Sequence, residues 1–268
     1  MTVQGTIFLK GIYFMKQALY ESSSLRLHIG CVRNVLNIIL IGSCVIFSQG
    51  ASASNFSNNS ASTTVVVESK TTFEHAVDDY FAGRYGEAKK AFDKLRKTDY
   101  ASVSAVPAAV NLAAMGNYSS AQKAFSRLTK SANVREKEYA QLWQLWLTAK
   151  KWRGSNKELN KKLERLVNAQ DWQPSYMKNI AKLYAGQETI ESVFNSISTQ
   201  VLDEALRKDA LTEATFFAGG YLQNVKHDNA AAMQLFNGNL NKLNSVSLER
   251  PFIDRECAAL NKLALQSK

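Results

Sequence analysis

The sequence predicts an all-α chain, an α-solenoid of about five helix pairs followed by a C-terminal capping helix. Two observations carry that prediction. Proline is scarce, 3 residues in 268, and runs of β-branched residues are few, which favours helix over sheet. In the body of the chain a pattern of small and aromatic residues also recurs at a fixed offset, the mark of stacked like units.

In chain order, residues 1–53 read as a leader. Val35 to Ser48 form an apolar run of 14, short for a membrane span, with Arg33 ahead and Ala51-Ser52-Ala53 behind. A basic flank, a short apolar core and an A-x-A site describe a secretory signal. A start at Met15 or Val32 would give it a more usual length. Ile41-Gly42-Ser43-Cys44 offers a second reading, a lipobox in which Cys44 is lipidated and becomes the mature N-terminus. Either fate places the body in the periplasm, free or anchored to the outer membrane. Residues 54–64 (SNFSNNSASTT) are small, polar and aperiodic, and read as a flexible linker before a helical domain over 65–268.

The repeat itself is Gly83-x-Tyr85-x-x-Ala88-x-x-Ala91-Phe92-x-x-Leu95. It returns as Gly116-x-Tyr118-x-x-Ala121-x-x-Ala124-Phe125-x-x-Leu128, every member displaced by 33 residues, and Lys90 and Lys123 match too. Glycine suits the point where one helix stops and turns. The tyrosines open the second helix, the alanines permit close approach, and the phenylalanines fill the space between units. Pro107 is expected near a helix start, where its missing N–H does no harm. Weaker units follow. Trp152 and Leu159 stand in for tyrosine and phenylalanine. Tyr139, Trp143 and Trp146 form a stripe read as core. SYMKNIAKLYAG reads as a helix ending at Gly186, and Ala214–Phe236 as helix, turn, helix. Pro251 opens a terminal helix expected to cover the last apolar face of the stack.

A period near 34 residues is that of the tetratricopeptide repeat (TPR), so the expected solenoid is TPR-like. With the two clear units, the order of YAQLWQLWLTAKKW, WQPSYMKNIAKLYAGQETIESVF and ATFFAGGYLQNVKHDNAAAMQLF resembles the bacterial TPR lipoproteins of the NlpI family over residues 70–265. The resemblance implies a dimeric periplasmic adaptor, without cofactor, that brings a protease or peptidoglycan hydrolase to its clients. An assembly or piloting factor for a secretion system or pilus would use the same scaffold. By register, Tyr80, Gln141, Gln144, Thr148, Gln223 and Asn224 are expected to face a partner-binding groove lined by the first helix of each pair.

Catalytic motifs are missing from the body. It holds His75 and His227, without His-x-x-x-His, Cys-x-x-Cys, Gly-x-Ser-x-Gly or a phosphate-binding glycine loop, so neither enzyme chemistry nor a metal is expected. Ala218-Gly219-Gly220 reads as a close-packing point and Cys257 as a buried structural thiol. The formal charge is +10, and removing Lys10, Lys16, Arg26, Arg33 and Glu21 with the leader leaves +7. Lys150, Lys151, Arg153, Lys157, Lys161, Lys162 and Arg165 form the densest basic stretch. Export argues against nucleic acid as its partner. A solvated helix face is the plain reading, with an acidic protein or an anionic wall polymer as the alternatives.

Overall fold

The computed structural model of the chain describes residues 59–266. The leader, the Cys44 lipidation candidate and residues 54–58 lie outside them. Eleven α-helices follow one another: α1 (Asn59–Phe81), α2 (Tyr85–Leu95), α3 (Ala101–Ala114), α4 (Tyr118–Leu128), α5 (Val134–Lys151), α6 (Asn156–Asn168), α7 (Tyr176–Tyr184), α8 (Ile190–Gln200), α9 (Glu204–Tyr221), α10 (Asn229–Asn239) and α11 (Arg250–Gln266). The described residues contain no strand, and each helix packs against the next. The described residues are therefore all-α, with their helices in neighbouring pairs.

The helix ends show why the sequence breaks where it does. Gly83, Gly116 and Gly186 all sit at positive φ, 75°, 75° and 72°. At each, the glycine N–H and the next N–H reach back to close the last turn: Gly83 to Tyr80 O and Arg84 to Asp79 O, Gly116 to Ala113 O and Asn117 to Leu112 O, Gly186 to Leu183 O and Gln187 to Lys182 O. This is the Schellman ending, which an L side chain would strain. Several N-termini are closed by side chains: Asn117 for α4, Asn133 for α5, Ser175 for α7, Thr189 for α8, Asp203 for α9 and Asp228 for α10. Ser155 and Glu158 form a reciprocal capping box on α6.

The repeated positions do repeated work. Ala88 and Ala121 are completely buried, and Phe92 and Phe125 are in the core. Phe92 meets Phe73 edge-on, and Phe125 stacks on Trp143 with ring centroids 5.1 Å apart. The two tyrosines differ. Tyr85 packs back on Tyr80 of the preceding helix, whereas Tyr118 packs forward on Trp146 of α5.

Two expectations are corrected and a third is extended. Helix α1 begins at Asn59, inside the segment read as a linker over 54–64. Residues 59–64 hold neither glycine nor proline, so nothing in them stops the helix. Pro107 lies in the interior of α3 instead of near its start. It is buried there, and the packing of α3 against α1, α2 and α4 holds the helix through the lost backbone bond. Finally, α11 does more than cover the end of the array. It packs on α9 and α10 and also reaches back to the middle of the chain.

That return follows from how the stack curls. Helix α5 touches α9 across three intervening helices, and the π-helical turn Leu222–Lys226 after α9 packs on α5 and α6. Gly219 and Gly220 permit the approach. A Cβ at Gly219 would stand 2.1 Å from the Phe236 ring, and one at Gly220 2.4 Å from the Trp146 Nε1. The result is one aromatic centre around the fully buried Trp143, drawn from α4, α5, α9 and α11.

Candidate functional site

The C-terminal segment of the chain lies along one face of α5 and also meets α1, α3 and α9, and this covered face is the inner one. The stripe Tyr139, Trp143 and Trp146 lies on this face of α5 and is buried. Phe252 of α11 packs edge-on against Trp143 at 5.4 Å, and near Trp146 and Phe216 at 6.0 and 5.3 Å. Arg255 lies over the Phe252 ring at 4.9 Å and donates to the Ala114 carbonyl at the end of α3, 3.0 Å away. A cation there also meets the negative end of a helix dipole. Tyr80 of α1 donates to the Leu248 carbonyl just before α11. Glu256 receives Gln223 at 3.1 Å and pairs with Lys150 at 3.6 Å.

A buried polar hub holds the start of this segment. Glu249 is 2% exposed and accepts from the hydroxyls of Tyr139 and Ser247. Glu213 of α9, also 2% exposed, pairs with Arg135 of α5 and accepts from Tyr176 of α7 at 3.1 Å. Asn244 donates to Asp209, and its own N–H donates to Thr212 Oγ1 at 2.8 Å. Burial pushes the Glu249 carboxyl up to about 7, and the neighbouring Glu213 charge pushes the same way. Burial likewise pushes Asp209 up to about 6. Burial opposes the Arg135 charge, but Glu213 outweighs it and holds the guanidinium well above its usual value. Burial raises the Tyr139 and Tyr176 hydroxyls far above theirs, so both stay protonated donors. These groups bind one another across α5, α7, α9 and the 243–249 turn.

A second feature lies between α4, α5 and α6, a cleft of about 660 Å³. Its cationic lining is Lys151, Arg153, Lys161, Lys162 and Arg165, with Glu158 as its acid. Glu158 is held by the backbone N–H and hydroxyl of Ser155, which keep its carboxyl below the usual range. Trp152 lies alongside, its indole N–H on the Ser155 carbonyl at 3.0 Å.

The six residues expected to face a groove have different neighbours. Tyr80 and Gln223 touch the C-terminal segment on the inner face. Asn224 bonds back to Gly220 of its own helix. On α5, Gln144 reaches the Gln122 carbonyl of α4, Gln141 reaches Gln170 beyond α6, and Thr148 lines the basic cleft. Their register is offset from the Tyr139–Trp143–Trp146 stripe, and the aromatic stripe is the one that turns inward. Glu213, Glu249, Arg135, Phe252 and Arg255 escaped the sequence reading. The available signals were an acid inside the apolar run LTEATFFAGGY and an acid just ahead of Pro251. Cys257 is buried, and burial raises its thiol, so it is a poor nucleophile.

Among the described residues, no three His, Cys, Asp or Glu side chains gather as a metal site, and no helix is long and apolar enough to cross a membrane. No known family model and no curated protein matches this chain.

Proposed function

We propose that the chain is a non-catalytic, TPR-like adaptor of the cell envelope, similar to the NlpI family, that links a protease or peptidoglycan hydrolase to its clients. The observation that carries this reading is the recurring hairpin. The same glycine ending, buried alanine and buried phenylalanine serve two successive helix pairs, and a third pair shares the glycine ending. Scaffolds of this kind present broad side-chain surfaces to protein partners. The placement of the shifted carboxylates supports a binding role over a catalytic one. Glu249 and Asp209 spend oxygens on bonds that hold the segment leading into α11. The inner face is already occupied, so partners engage the outer surfaces, as a monomer or as a homodimer. The test is affinity capture from an envelope extract with the exported chain. Recovery of an envelope protease or wall hydrolase supports the reading. Recovery of secretion or pilus components alone replaces it with a piloting role, and recovery of neither overturns both.

A further inference from the structure

The basic stretch of the sequence separates in three dimensions into two kinds of cation. Lys150 turns inward, pairs with Glu256 and lies over Trp146. Lys151, Arg153, Lys161, Lys162 and Arg165 converge on one cleft. Elsewhere the chain pairs many of its cations with nearby acids: Lys89 with Asp93, Lys90 with Glu87, Arg84 with Asp79, Lys208 with Glu204 and Arg250 with Asp254. None of the five cleft cations forms an ion pair among the described residues. Five like charges held around one concavity repel one another, a cost that an anion in the cleft removes.

We infer that this cleft binds an acidic, extended segment of a partner protein. A volume of about 660 Å³ falls within the ordinary size of ligand sites. The lining also favours a peptide over a uniformly charged polymer. Gln122 and Thr148 are neutral hydrogen-bonding groups, and Glu158 is an acceptor kept ionised by its cap. A peptide offers backbone N–H groups to Glu158 while its acidic side chains meet the cations, among them Lys151, which the Gln122 amide oxygen holds at 2.8 Å. A polymer charged at every unit sets an anion against Glu158. Arg153 and Arg165 suit the two-oxygen geometry of carboxylates, and the exposed lysines supply steering. The inference rests on the adaptor reading for its partner class and on the cleft for its chemistry.

The test is a titration of the full chain into a labelled, end-capped peptide of alternating Glu and Ser, followed by fluorescence anisotropy. Inorganic polyphosphate serves as a second probe. The peptide binds, and added salt weakens it. Reversing two cleft charges, Lys161→Glu with Arg165→Glu, weakens it by roughly tenfold or more. The matched reversal outside the cleft, Lys94→Glu with Lys97→Glu, changes the net charge equally and leaves affinity within about twofold. Unchanged circular dichroism shows that both variants are folded; Lys161→Gln with Arg165→Gln replaces the cleft pair if it is not, and Lys94→Gln with Lys97→Gln replaces the control. The inference is overturned if the peptide fails to bind, if both reversals weaken it alike, or if polyphosphate alone occupies the cleft. Peptide binding by a chain that captures no envelope protein overturns the adaptor reading and leaves this one standing.

Discussion

At the scale of single residues, the two glycine classes fail for opposite reasons. Gly83 has open space around a virtual Cβ but sits at φ 75°, so Gly83→Ala meets backbone strain alone and costs roughly 1 kcal/mol. Gly219 lies inside α9, where alanine is the better helix former by about 1 kcal/mol. Its Cβ would stand 2.1 Å from Phe236, and overpacking of that kind costs about 1–3 kcal/mol. Packing wins, so both substitutions lower the urea midpoint. A stabilised Gly219→Ala protein would show that the Phe236 ring yields without cost. Glu249 makes the other residue-scale prediction. Its carboxyl is raised on folding, as is that of Asp209, so the folded state binds protons more tightly than the unfolded chain. Their contribution is most favourable below the ordinary carboxylate range and is lost as pH rises through about 6 and 7. Glu249→Gln keeps the shape and removes the ionisation. Its melting temperature should exceed the parent's at about pH 8, and the gap should close towards about pH 5. A parallel pair of melting curves across that range would refute the assignment.

Among the elements, α11 carries the most consequence. An amphipathic helix at the end of an array normally shields the last apolar face from water. Here Phe252 enters the aromatic centre instead, against Trp143, Trp146 and Phe216. Phe252→Ala should cost about 3–5 kcal/mol, the usual range for an aromatic cut from a packed core. The loss should appear in chemical denaturation and in Trp fluorescence together, because the ring touches two tryptophans. A cost below about 1 kcal/mol would mean that α11 is only laid on the surface. The π-helical turn after α9 is the second element with a clear reason. The extra residue per turn ends with His227 at φ 55°, its ring on Asn156 at the start of α6. It ties the ninth helix to the sixth.

On the scale of the molecule, the curl sets the cooperativity. In an open array each unit meets only its neighbours, and unfolding can proceed piecemeal. This chain joins α5 to α9, α11 to α3 and α5, and Leu248 to α1. Far-ultraviolet circular dichroism and Trp fluorescence should therefore give coincident urea transitions. Two separated transitions, with the α1–α4 region melting first, would show that the long-range ties are too weak to couple the halves. On the adaptor reading proposed above, the C-terminal segment fills the face that an open array would offer a ligand, which leaves the outer clefts to a partner.

Local chemistry in the sequence determined the helices, their glycine endings and the buried phenylalanines of the first two pairs. Those features depend on neighbours within one turn or one hairpin, and a period of 33 residues displays them directly. Burial of the Tyr139–Trp143–Trp146 stripe was readable for the same reason. Tertiary structure alone decided what covers that stripe, which lysines gather into a cleft, and which carboxylates become buried partners. Phe252 and Trp143 are far apart in sequence, and no periodicity records that one will rest on the other. Gln141, Gln144 and Thr148 meet Gln170, Gln122 and the basic cleft, neighbours that helix register could not name, because register gives a face without saying what that face will meet. That choice belongs to the curvature of the whole stack, which small residues such as Gly219 and Gly220 set by how closely they let helices approach.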